Sequence, residues 1–132
     1  MRTYHRDGTL PQHGEIFVFG SNLAGRHGAG AARVACSEYG FPMFENSGLR
    51  GQAYAIPTKH RDVRTPLTLA EIRPGVSGFI VFARLRVLST RFFVTSIGCG
   101  YAGYAPREIA PMFFGAPGNC SFPDTWKPHF GD

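Results

Sequence analysis

Cysteine is scarce in this sequence and unpaired. The 132 residues include three cysteines, Cys36, Cys99 and Cys120, and no CxxC pair. An odd, widely spaced set supports neither a disulfide framework nor a zinc site, so no metal is expected. A reducing cytoplasm is the expected compartment. No apolar run approaches the roughly 20 residues needed to cross a bilayer. The opening Met1-Arg2-Thr3-Tyr4-His5-Arg6 is not followed by an apolar signal core, and no membrane partner is expected. Lysine is rarer still: of the 14 basic residues only Lys59 and Lys127 are lysine. Charged residues make up 17%, and the net charge is +5. That balance favours an anionic ligand. It does not favour nucleic acid, because the arginines are scattered and no helix-turn-helix, zinc-finger or RNA-recognition pattern is present. No GxxxxGK[ST] occurs, which excludes a Walker loop. The run from Gly20 to Ala32 is not GxGxxG with an acid about twenty residues later, which argues against a dinucleotide Rossmann site there.

Glycine is what the chain has in quantity, and it is concentrated in two turns. The first runs Gly20-Ser21-Asn22-Leu23-Ala24-Gly25-Arg26-His27-Gly28-Ala29-Gly30. The second runs Ile97-Gly98-Cys99-Gly100-Tyr101-Ala102-Gly103-Tyr104. Each follows a short apolar strand-like run, Ile16–Phe19 and Phe92–Thr95, and each leads into a helix-like run, from Ala29 and from Pro106. A strand, a glycine turn and a helix N-terminus together aim free N–H groups and the positive end of a helix dipole at one point. Two such turns read as two jaws on one phosphate-bearing ligand.

With 43% hydrophobic residues the chain can bury a core, and its length fits a single domain over 1–132. Residues 1–14 read as an irregular arm and 115–132 as a tail holding an edge strand at 119–122 and Trp126. Strands are expected at 15–19, 53–57 and 91–96. Helices are expected at 29–39, in one turn at 68–73, over 75–88 and from Pro106 to Phe114. On the 75–88 helix Val76, Phe79, Ile80, Ala83 and Val87 share one face. Alternating strands and helices give an α/β layered fold with parallel neighbours.

The residues that carry chemistry cluster in these turns. In the first, Asn22 can hydrogen-bond a ribose hydroxyl, Arg26 or His27 can add charge, and Gly25, Gly28 and Gly30 let backbone approach a diphosphate. In the second, Gly98, Cys99, Gly100, Tyr101 and Gly103 form the loop, and Tyr104 can cover a sugar. Lys59 ends the segment Tyr54-Ala55-Ile56-Pro57-Thr58-Lys59 just past a strand, where an ammonium can contact a phosphate or attack a sugar carbon. Cys99 reads as a small buried hydrophobe, since no histidine is placed beside it by sequence.

These three elements, in this order, resemble the macrodomain superfamily. Asn22 matches the strand-end asparagine of macrodomains and Gly28-Ala29-Gly30 their glycine run. The Tyr54 to Lys59 segment and Ile97-Gly98-Cys99-Gly100 are similar to those of the terminal ADP-ribose glycohydrolase branch. The segment from Phe19 to Ala31 also resembles that of a group of small phage-encoded macrodomain-like proteins. The resemblance covers about residues 15 to 114. It implies a compact three-layer α/β fold with a mixed, largely parallel sheet, and ADP-ribose or a related nucleotide as partner, with no cofactor. Two positions depart from the family pattern. The aspartate that works with the lysine in the glycohydrolase branch is Ala102 here, and an acid that follows the glycine run in other hydrolytic members falls near Ala32. Asp62 or Glu108 would have to substitute, and Asp7 is the one early acid that could read an adenine. Two functions therefore stand: a binder that sequesters a nucleotide made by host defence, and a hydrolase of an ADP-ribosyl bond using Lys59.

Overall fold

The structure, a computed structural model, describes residues 2–131. Its frame is a six-stranded sheet built from β1 (Thr3–His5), β2 (Ile16–Asn22), β3 (Gly48–Arg50), β4 (Ala53–Lys59), β5 (Phe92–Val94) and β6 (Cys120–Pro123). The spatial order is β1-β6-β5-β2-β4-β3. Every pairing is parallel except β3 with β4. Five strands therefore run the same way and end along one edge of the sheet.

Alternation on the central strands explains the layers. Phe17 and Phe19 of β2 and Ala53 and Ala55 of β4 pack on one face with Ala32 and Ala35 of α1 (Gly30–Glu38). Val18, Tyr54 and Ile56 point to the other face and meet Ile72, Val76 and Phe79 of α2 (Leu69–Arg84). A strand exposes successive side chains to opposite sides, so two apolar faces call for a helix on each. The result is a three-layer α/β arrangement with a mixed, largely parallel sheet. After β5 the chain forms α3 (Pro106–Ile109), a 3₁₀ turn at Ala110–Phe113, β6, and a second 3₁₀ segment at Asp124–Phe130.

Five expectations change. Residues 1–14 are not wholly irregular, because Thr3–His5 pairs with Ser121–Pro123 as an edge strand. That makes β6 an interior strand between β1 and β5. The 115–132 segment is part of the core, since Trp126 is fully buried against Phe113 and Phe122. The helical turn at 68–73 and the 75–88 helix are one helix, started by a capping box in which Thr68 Oγ1 accepts from the Glu71 N–H at 3.1 Å and Glu71 accepts from the Thr68 N–H at 2.9 Å. Pro74 sits inside this helix without ending it. The helix stops at Arg84, so Val87 is half-exposed rather than on the buried face.

Replacing Trp126 with Ala should cost about 3–5 kcal/mol in urea unfolding, the range for a large buried aromatic. Leu88→Ala, at a residue 99% exposed, should change stability by less than about 0.5 kcal/mol. A small effect of Trp126→Ala would return the C-terminal segment to the status of a tail.

Candidate functional site

The strand ends at the common edge border a cavity of about 930 Å³, near the top of the roughly 300–1,000 Å³ range of small-molecule sites. Gly20 and Asn22 of β2, Thr58 and Lys59 of β4, and the loop after β5 line it. Ligands of open α/β sheets bind outside the carboxyl ends of the strands.

The first glycine turn is shaped by its own side chains. Asn22 Nδ2 donates to the Arg26 carbonyl at 2.7 Å, and Asn22 Oδ1 accepts from the Arg26 N–H at 3.0 Å. Its amide thus closes the turn while one edge of the residue still lines the cavity. Gly25 has φ +68°, and a Cβ there would stand 2.4 Å from the Phe44 backbone. Residues 44–46 brace the turn from behind. The Phe44 N–H donates to the Gly25 carbonyl at 2.8 Å, Asn46 Nδ2 to the Leu23 carbonyl at 3.0 Å, and His27 Nε2 to the Glu45 carbonyl at 2.9 Å. His27 is 3% exposed, with its ring edge-on to Phe19 and Phe41.

Beyond that brace, Gly28 reaches the cavity and α1 begins. Ala29 is extended, offers no side-chain cap, and no acid stands in the first turn. The first N–H groups of a helix have no acceptor within it, and residues 29–32 line the cavity. The open, positive end of α1 therefore faces the space where a ligand would lie.

The second turn closes on the first. Gly98 has φ +75° and packs so closely on Ile109 that a Cβ would stand 3.0 Å from its Cδ1. Tyr101 is 71% exposed, and its ring lies against Gly30, where a Cβ would be 2.8 Å from Cε2. Lys59 Nζ stands 5.2 Å from the centre of the same ring, within reach of a cation–π contact. Three segments far apart in sequence thus meet at one tyrosine.

Asn22, Arg26, Gly28, Gly30, Lys59, Gly98, Cys99, Gly100 and Tyr101 all border the cavity. Gly25, His27 and Gly103 do not. Gly25 and His27 shape the first turn from inside, and Gly103, at φ +82°, makes the turn that leads out of the second loop. Tyr104, read as a possible sugar cover, is half-buried and donates its hydroxyl to the Leu67 carbonyl at 2.5 Å. Burial pushes the Cys99 thiol up to about 11, so it is protonated at neutral pH and unsuited to attack.

Sequence reasoning named no binding residue in the turn between β4 and α2, whose residues are mostly exposed. Val63 and Arg64 line the cavity. Asp62 locks this turn: Oδ1 accepts from the N–H groups of Arg64 at 2.9 Å and Thr65 at 2.8 Å, and Oδ2 from the Thr65 hydroxyl at 2.5 Å. These bonds hold its carboxyl down at about 2. An Asp followed three residues later by Thr is a common turn signal, but nothing local reveals that the turn faces a pocket. Asp7 also borders the cavity, just past β1, where it accepts from Ser96 Oγ at 2.8 Å. The acids considered as substitutes for the missing aspartate are occupied. Asp62 is spent on its own turn, and Glu108 accepts from the Ala105 N–H at 3.0 Å. Ala102 lines the cavity. Among the described residues, no group of three or more His, Cys, Asp or Glu side chains is gathered to hold a metal ion. No helix among them is long and apolar enough to cross a membrane.

No family model matches this sequence, and no curated protein matches it. The structure is similar to that of the macrodomain of Mycobacterium tuberculosis DarG, with a TM-score of 0.66 over 93% of this chain and 97% of that one, at 21% sequence identity. At that identity the likeness concerns architecture: this chain has the fold of a macrodomain.

Proposed function

We propose that this protein binds an ADP-ribose-type nucleotide across the carboxyl ends of its parallel strands, and holds it rather than turning it over. The observation that carries this reading is the uncapped N-terminus of α1, opening onto a cavity whose opposite wall is a second glycine loop. A diphosphate supplies the negative charge that those free N–H groups lack. Arg26 adds charge at the rim, and Tyr101 offers a ring face to a sugar. Asp7, at the β1 end, is suited to accept from the amino group of a base. The macrodomain fold agrees with this class of ligand.

Catalysis is the weaker reading because of the acids. A lysine nucleophile must be neutral when it attacks, which needs a nearby base or a depressed pKa. Among the described residues Lys59 has no carboxylate partner, and the acid that lines the cavity, Asp7, is held by Ser96 Oγ in the loop after β5, with β2 between β5 and β4. Storage of a nucleotide signal made by host defence, in the cytoplasm of the host cell, is the role that such a binder would fill.

Calorimetry with ADP-ribose is the direct test. Gly28 and Gly100 both border the cavity, have no atom within 4 Å of a built Cβ, and lack a positive φ. Gly28→Val and Gly100→Val should therefore keep the thermal stability of the parent and lose binding. Normal binding by both variants would remove the two-jaw site.

Asn22→Ala should weaken binding by about 0.5–1.5 kcal/mol, partly through release of the Arg26 backbone. An unchanged dissociation constant would take Asn22 out of the site.

Lys59→Ala should raise the off-rate and leave the recovered nucleotide intact. Borohydride trapping of a sugar adduct on Lys59, or release of free ADP-ribose from an ADP-ribosylated substrate by the parent protein, would favour the hydrolase instead. Iodoacetamide at neutral pH should leave Cys99 unlabelled in the native protein, as read by mass spectrometry. Rapid labelling of Cys99 would show a reactive thiolate there.

A further inference from the structure

We infer that the end of α2 and the amino edge of the sheet form a docking surface for an acidic amphipathic helix of a partner protein. This surface lies at the opposite end of the strands from the nucleotide site and does not depend on that reading.

Large aliphatic side chains are concentrated here in the open. Val81 is 54% exposed, Leu85 77%, Val87 50% and Leu88 99%. Single exposed apolar residues are ordinary, but a contiguous patch marks an interaction surface. Val81, Leu85 and Leu88 follow one another at intervals of four and three, the repeat by which helices pack on one another. Val81 belongs to the face of α2 turned away from the buried Ile72, Val76 and Phe79. Beyond Arg84 the chain stays tied down. The Ser89 and Thr90 N–H groups both donate to the Arg86 carbonyl, at 3.1 and 2.9 Å. The buried Asn119 amide donates to the Ala83 and Thr90 carbonyls at 3.0 Å each. The aliphatic side chains therefore stand on a fixed backbone.

A second cavity, of about 500 Å³, adjoins the patch. Val87 and Leu88 line it together with Glu15, Arg91 and Asn119, the residues that precede β2, β5 and β6. A concave surface receives the side chains of a protein partner, whereas a flat bilayer would leave it unfilled. Charge selects the partner. Arg84, Arg86 and Arg91 belong to this segment, and among the described residues none has a carboxylate in ion-pair contact. Arg84 Nη2 donates to the Gly115 carbonyl at 2.8 Å, and the Arg86 guanidinium lies 3.5 Å from the centre of the Phe82 ring. Both are held in place with their charge uncompensated. Glu15, the acid in the cavity wall, accepts from the Gln12 N–H at 2.6 Å. An apolar patch rimmed by arginines is complementary to an apolar helix face flanked by carboxylates. A second copy of this chain fits less well, because a two-fold contact sets the same patch against itself and brings its arginines together.

The probe is a synthetic amphipathic helix with leucine along one face and glutamate on the flanks, and its control carries lysine in place of glutamate. Fluorescence anisotropy with the full chain should show micromolar binding of the glutamate peptide, weakening as salt rises, and no binding of the lysine peptide. Leu85→Ala combined with Leu88→Ala should weaken binding about tenfold or more at unchanged thermal stability, since both residues are exposed. Arg84→Glu combined with Arg91→Glu should lose the glutamate peptide and gain the lysine one. No binding of the glutamate peptide at about 1 mM, equal binding of both peptides, or full binding by the leucine double variant would overturn the inference. So would either rival occupant: a dimer in sedimentation equilibrium that the leucine double variant dissolves, or co-sedimentation with phosphatidylglycerol vesicles that it abolishes.

Discussion

An unfilled requirement organises this molecule: the first turn of α1 has backbone donors, and among the described residues no side chain caps them. A helix start of this kind is ordinarily closed by Ser, Thr, Asp or Asn. Here the preceding residue is Ala29, the first helical residue is Gly30 at φ +60°, and no acid follows. The contrast with α2 lies in the same chain, where Thr68 and Glu71 cap each other. One helix is finished by its own side chains, and the other is left open at the edge where five strands end. Much around α1 keeps that opening in place. The Asn22 amide ties the turn, and residues 44–46 brace it. Gly25 allows a backbone approach that no side chain could share.

The sheet topology converts this local feature into a long site. Parallel order across β1, β6, β5, β2 and β4 puts all their carboxyl ends on one side. Loops that leave those ends share a single cavity, although they come from residues as distant as Asp7 and Thr125. The character of each stretch of wall follows from which loop leaves which strand: Asp7 follows β1 and is held by Ser96 beyond β5, glycine turns leave β2 and β5, and Lys59 and Arg64 stand at the end of β4.

The parts of this arrangement that sequence could reveal are those whose signals are local. Strand, glycine turn and helix occur within some twenty residues at each jaw, and apolar alternation at Phe17-Val18-Phe19 and Ala53-Tyr54-Ala55-Ile56 marks strands covered on both faces. The failures needed tertiary information. Thr3–His5 is too short and too polar to announce a strand, and it becomes one because Ser121–Pro123 offers it an edge. Pro74 argued for a break, but a capped start and a buried face at Ile72, Val76 and Phe79 carry α2 through it. Trp126 looked like part of a tail because its partners, Phe113 and Phe122, come from two other elements. His27 looked like a charge for the ligand. The structure spends it behind the turn, where its ring and Nε2 hold the loop that a neighbouring residue presents.

The placement of the acids separates holding a ligand from cutting it. Phosphate recognition by backbone N–H groups needs glycine and geometry, and both turns retain them. Hydrolysis needs in addition a proton acceptor close to the bond that breaks. The carboxylates that could have served Lys59 are engaged elsewhere: Asp62 within its own turn, and Glu108 on the backbone that starts α3. Ala102, on the cavity wall, adds no carboxylate there. A stretch of wall without a free carboxylate presents no like charge to an anion and no proton acceptor to a lysine, so the same placement of acids bears on both binding and chemistry.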